Sequence, residues 1–214
     1  MSTEILVELR KAIETYDRRE AERCAREVIQ RKIDPLEALD VMTKAIRQVG
    51  DGFGRGELFL PELVAAAAAM EGATPIIEKE MKRLGAKRES LGTVVIGTVF
   101  GDIHTIGKTM VATLLTAGGF AVIDFGINVT AESFVAGIRK HQADILAMSA
   151  LMTTTAPEQR RVIETLKKEG LRDKVKIMVG GGAISQGFAD SIGADGYDPT
   201  APGAVELAMK LLGK

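Results

Sequence analysis

Residues 93–109 read Thr93-Val94-Val95-Ile96-Gly97-Thr98-Val99-Phe100-Gly101-Asp102-Ile103-His104-Thr105-Ile106-Gly107-Lys108-Thr109. A short β-rich run, Thr93–Thr98, passes into a loop bracketed by Gly101 and Gly107, and helical periodicity begins at Gly107. The same alternation repeats downstream. Further strands are expected at Phe120–Asp124, Ile145–Ser149, Lys176–Val179 and a short Gly196–Tyr197. Helices are expected near Gly107–Ala117, Ala131–His141, Ala156–Glu169, Ser185–Ser191 and Pro202–Leu212. Strands alternating with helices predict an α/β domain with a doubly wound, five-stranded parallel sheet covered on both faces.

Upstream the period changes to that of helices. Ile5, Leu6, Leu9 and Ile13 recur on one helix face, and a second helix fits Arg19 to Arg31. Asp34 caps a third, with Pro35 at its first position, running to a break at Gly50-Asp51-Gly52. Pro61 opens a fourth through the run Ala65 to Ala69, Met70, Ile76, Ile77 and Met81, ending near Leu84-Gly85. Four helices with short connections predict a bundle. Lys82 to Ser90 is polar and charged and reads as a linker, dividing the chain into domains 1–87 and 90–214.

The 214 residues carry 46% apolar and 27% charged side chains, and only 4% aromatics, so the core is built from Ala, Val, Ile, Leu and Met. With 28 basic against 29 acidic residues the net charge is -1, which gives no footprint for nucleic acid or an anionic membrane. Cys24 is the only cysteine, which excludes an intrachain disulfide and a cysteine-based zinc site; it reads as a buried structural thiol. The N-terminal MSTEILVELRKAIE lacks the apolar core of a signal peptide, and no stretch is expected to span a bilayer, so the reading is a cytoplasmic protein.

In such sheets ligands bind beyond the carboxyl ends of the strands, which makes residues 100–109 the candidate site. The loop is not a phosphate loop, because Gly101 and Gly107 are one residue too far apart for that motif. His104 lies at the switch point with Asp102 two residues away, and Gly107 lets the next helix start close to a bulky ligand. A histidine whose second ring nitrogen is held by a carboxylate is the usual form of a metal ligand. The other histidine, His141, ends a helix, where a dipole role suffices. A metal held by His104 alone needs a cofactor that brings most of its own ligands, which points to a macrocycle.

Asp102-x-His104-x-x-Gly107, Ser149-x-Leu151 after the third strand and Gly180-Gly181-Gly182 after the fourth resemble the cobalamin-binding signature. Gly50 to Leu63, followed by Met70, resembles the helix-bundle cap of methionine synthase and of the corrinoid proteins that serve methanol, methylamine and glycine betaine methyltransferases. The resemblance covers nearly the whole chain. It implies a four-helix bundle cap followed by a flavodoxin-like (Rossmann-like) domain, and a cofactor that is cobalamin or a related corrinoid, cycling between methylcob(III)alamin and cob(I)alamin. His104 would be the lower axial ligand to cobalt, with Asp102 and Thr155 coupling its release to proton uptake. Thr105, Ile106 and Gly107 would complete the binding loop; Thr105 stands where many members carry aspartate.

The same resemblance implies that the displaced dimethylbenzimidazole tail enters a slot beside the first strand. Gly181 and Gly182 would make room for it, beside Gly180, and Ser149, Leu151 and Thr153 would line it, the two hydroxyls hydrogen-bonding near the ring. Phe53 and Leu60 would cover the methyl-bearing face. The implied function is a methyl carrier, non-catalytic alone, that accepts a methyl group from a substrate-specific methyltransferase and presents it to a second one. That second enzyme would use coenzyme M or tetrahydrofolate, and a reductive activation protein would be a further partner; no nucleic acid or membrane partner is expected. Two alternatives stand beside this: the small subunit of an adenosylcobalamin mutase, and a flavodoxin-like signalling or nucleotide-binding domain. The methyl donor is not legible.

Overall fold

A computed structural model describes residues 2–85 and 90–214 and divides the chain into two compact units, Met1–Glu89 and Ser90–Lys214. Four helices build the first unit: α1 (Ser2–Glu14), α2 (Arg18–Gln30), α3 (Pro35–Gly54) and α4 (Leu60–Leu84). The starts are encoded locally. Asp17 accepts the Glu20 N–H at 3.0 Å to open α2, and Asp34 accepts the Leu36 N–H at 2.9 Å, with Pro35 in the first turn, to open α3.

Two expectations change here. The helix does not break at Gly50-Asp51-Gly52 but runs on to Gly54. Gly50 and Gly52 are buried, and a Cβ on Gly52 would come within 3.0 Å of the Leu58 side chain, so this glycine admits the returning chain rather than ending the helix. By length and composition α4 is apolar enough to cross a membrane, contrary to the sequence expectation, because its alanines raise the mean hydropathy without large side chains. Its Leu63, Ala66, Ala69, Met70, Ala73 and Ile77 are buried within the helical unit, where α4 packs on α2 and α3. The expected linker falls largely on residues 86–89, which lie outside the described residues; Lys82 to Leu84 belong to α4 and Gly85 caps it.

The second unit alternates β1 (Thr93–Thr98), α5 (Ile106–Ala117), β2 (Ala121–Asp124), α6 (Ala131–His141), β3 (Ile145–Ser149), α7 (Ala156–Lys168), β4 (Lys176–Gly180), α8 (Gln186–Ile192), β5 (Gly196–Tyr197) and α9 (Ala201–Leu211). All strand pairs are parallel, in the order β2-β1-β3-β4-β5, so the expected doubly wound sheet is present. Period-two alternation sorts the strand residues between two cores. Val94, Ile96, Ile145, Ala147 and Met178 pack with Leu115 of α5 and Ala204 and Ala208 of α9. Val95, Leu146, Ile177 and Val179 pack with Phe134, Ile163, Leu166 and Ile192 on the other face. The order reverses between β1 and β3, and their carboxyl ends open the crevice that holds the loop quoted first.

Candidate functional site

The loop after β1 is held at both ends by side chains. Thr98 donates its hydroxyl to the His104 carbonyl at 2.9 Å, and the Asn128 side-chain oxygen accepts the Gly101 N–H at 2.7 Å. Asp102 is fully buried beneath the loop. One of its oxygens accepts the His104 backbone N–H at 3.0 Å and faces His104 Nδ1 at 2.8 Å. The other accepts the Leu151 N–H at 2.8 Å and the Thr155 hydroxyl at 2.6 Å. Thr155 Oγ also lies 3.0 Å from the Met152 carbonyl, but its one proton favours the shorter, charge-assisted bond.

Burial is the largest single influence on Asp102 and pushes its pKa up; hydrogen bonds from Thr155, both His104 groups and Leu151 outweigh it and hold the carboxyl well below the usual range. An ionised carboxylate only accepts, so Nδ1 of His104 carries a proton, and in the neutral imidazole it is Nε2 that has the lone pair. The His104 side chain is 46% exposed. Asp102 thus fixes the tautomer a metal ligand requires.

Around His104 the loops after β1, β2 and β3, with the first residue of α5, present Phe100, Ile103, Ile106, Ile127, Leu151 and Met152, all exposed although apolar. Below it a cavity of about 510 Å³ runs between the sheet and helices α5 and α9. Of the residues singled out from the sequence, His104, Gly107, Ser149, Leu151, Gly180, Gly181 and Gly182 line this cavity. Asp102 and Thr155 stand behind His104. Thr105 sits just before α5, its hydroxyl 3.3 Å from that of Thr109, and Ile106 is exposed on the collar. Thr153 is exposed and does not line the cavity. Phe53, in the last turn of α3, and Leu60, at the start of α4, are half-buried in the helical unit.

The model of a B12 binding domain matches residues 92–206, and a second B12 binding domain model matches residues 5–78. The chain belongs to the B12-binding corrinoid proteins. Among its relatives, the trimethylamine corrinoid protein of Methanosarcina barkeri is 44% identical over 203 residues, 94% of each chain. A corrinoid protein of Desulfitobacterium hafniense is 43% identical over 216 residues, covering 100% of both. A chain in the crystal structure of the methanol:cobalamin methyltransferase complex from Methanosarcina barkeri superposes with a TM-score of 0.89 at 29% identity, covering 98% of this chain and 80% of that one. The cofactor of this corrinoid protein is cobalamin or a related corrinoid, and its family serves methyltransferase systems.

The residues present fit that cofactor. No cluster of three ligating side chains among the described residues includes His104, so His104 would be a single protein ligand to a metal whose remaining ligands the corrin ring would supply. The apolar collar suits the ring's edge and the cavity suits a tail. The glycines divide the work differently from the sequence expectation. Gly181 has φ +116, and a Cβ there would lie 2.0 Å from the Ala150 carbonyl oxygen, so its lack of a side chain serves the backbone. A Cβ on Gly182 would meet the Leu151 side chain at 2.8 Å, whereas one on Gly180 would meet nothing within 4 Å. Gly180 is therefore the glycine that keeps the cavity open.

Sequence reading missed Thr98, Asn128 and the wall residues Ile96, Met178 and Ala204. It also missed the segment after β5, Asp198 to Thr200, which lines the cavity. The rule that ligands bind beyond strand ends was the available signal for that segment.

Proposed function

We propose that this corrinoid protein is a methyl carrier, accepting a methyl group on cobalt from a substrate-specific methyltransferase and presenting it to a second methyltransferase. The observation that carries the reading is the Asp102-held His104, with Nε2 free above an apolar cavity. When bound, the corrinoid supplies the cobalt that holds the methyl group. His104 Nε2 would hold the cobalt from the protein side, and the Asp102 carboxylate would stabilise the imidazole whether Nε2 ligates or takes a proton. Thr155 and the Leu151 N–H keep Asp102 ionised through that change. Ser149 lines the tail's path. Phe53 and Leu60 are assigned to shielding the methyl-bearing face.

A mutase small subunit would share the loop but would not need the helical unit, which the relatives match along with the rest of the chain. The names of those relatives point to trimethylamine and methanol as donors to try, and we take coenzyme M or tetrahydrofolate methyltransferases as the acceptors to try. Reduced holoprotein is mixed with each donor methyltransferase and its substrate, and the cobalt spectrum is followed. One donor pair should produce the methylated form, and an acceptor pair should return it to the reduced form. A holoprotein that neither gains nor gives up a methyl group with any of these pairs contradicts the reading.

A further inference from the structure

We infer that Asn128, in the loop after β2, is a positioning residue for His104: it clasps Gly101 and Asp102 and so holds the histidine in place for cobalt. The inference rests on the corrinoid reading above and adds a residue to that same site. The β1–β2 ladder ends at Ile96 and Asp124, but the two chains stay together beyond it. Thr98 donates its N–H to the Gly126 carbonyl at 3.0 Å, and its carbonyl accepts the Val129 N–H at 2.9 Å. Asn128 then supplies two groups at once. Its backbone N–H donates to the Asp102 carbonyl at 3.1 Å, and its side-chain oxygen accepts the Gly101 N–H at 2.7 Å. Its φ of +55° is a left-handed conformation that asparagine adopts more readily than most residues.

The clasp acts on a pliable joint. Gly101 has φ +77°, a conformation glycine enters at no steric cost and also leaves easily. The chain therefore enters the Asp102–His104 segment through a residue that does not hold its own shape. Beyond it, the Asp102 carboxylate is tied to Leu151 and Thr155, and the Thr98 hydroxyl holds the His104 carbonyl. Asn128 holds the joint itself, so Asp102 is secured at its carbonyl from the β2 loop and at its carboxylate from the β3 loop. The residues after Asn128 are firmly set. Val129 is buried, and Thr130 caps α6 by accepting the Ser133 N–H at 3.2 Å. Asn128 itself is exposed, so water competes for its oxygen and the net worth of the bond is modest. A joint fixed beforehand spares ligation the cost of ordering the loop, so losing this bond should weaken the hold on cobalt roughly two- to tenfold.

The test titrates full-length apoprotein with cobalamin, following the visible spectrum, in wild type, Asn128→Gly, Asn128→Asp, His104→Ala and Asn128→Gly combined with His104→Ala. Glycine keeps the backbone conformation and its N–H but removes the oxygen, whereas aspartate keeps an acceptor and tolerates the same φ. Asn128→Gly should weaken binding roughly two- to tenfold, and Asn128→Asp should bind as wild type does. Once His104 is alanine, the glycine change should have no effect, because its action runs through the histidine. A second readout needs no cofactor. In the apoprotein, the Gly101 N–H should exchange with solvent roughly two- to tenfold faster in Asn128→Gly, while that of the buried Leu146 is unchanged. Equal weakening with and without His104, an aspartate variant as weak as the glycine one, or unchanged exchange at Gly101 overturns the positioning role and leaves the corrinoid reading intact. A wild-type apoprotein that does not bind cobalamin overturns the reading on which it rests.

Discussion

Four donors converge on the Asp102 carboxylate, and the pH dependence of the apoprotein follows from that. Its folded pKa lies below the ordinary value of 3.8, so it contributes stability above that pH and loses it as the pH falls further. Asp102→Asn should lower the neutral-pH stability by about 1–3 kcal/mol, since an amide cannot accept from all four donors. It should also remove Asp102's share of the acid destabilisation below about pH 4. Urea unfolding from neutral to acid pH checks both; an acid limb as steep as wild type contradicts the account. The pair Asp102 and His104 was legible because both residues lie within three positions of one loop. The long-range hydrogen bonds that complete the site were not: the Leu151 N–H donates to Asp102 across 49 residues, and the Asn128 side-chain oxygen accepts from Gly101 across 27. No local pattern encodes contacts of that span.

At the scale of elements, β1, β3, β5 and α6 fall where periodicity puts them, because buried parallel strands are short apolar runs with little else to resemble. Glycine was the harder signal. Gly50 and Gly52 read as a break, yet lie inside α3, where tertiary packing outweighs helix propensity. The three glycines after β4 read as one feature and act as three. Gly180→Val should leave the apoprotein within about 1 kcal/mol of wild type and weaken corrinoid binding more than about tenfold, because its side chain would enter the cavity. Gly181→Ala should instead cost more than about 2 kcal/mol of stability, through its positive φ and the Ala150 carbonyl. Denaturant unfolding and corrinoid titration of the two variants check this, and reversed phenotypes would contradict it.

Across the whole molecule, the helical unit and the sheet unit were legible as a change from helical periodicity to short apolar β-rich runs alternating with helical patterns, which is independent of how either unit folds in detail. The cavity was legible only as a position, the crevice at the chain's switch point, because its walls come from β1, β3, β4, α5 and α9 together. The central claim is that one protein nitrogen, His104 Nε2, completes the coordination of a corrinoid bound by this chain. Electron paramagnetic resonance of the Co(II) holoprotein, made with nitrogen-15 histidine, tests it most directly. The wild-type spectrum should carry superhyperfine splitting from a nitrogen-15 axial ligand, and His104→Ala should retain corrinoid but lose that splitting. Splitting from the cofactor's own nitrogen-14 base in the wild type would contradict the account.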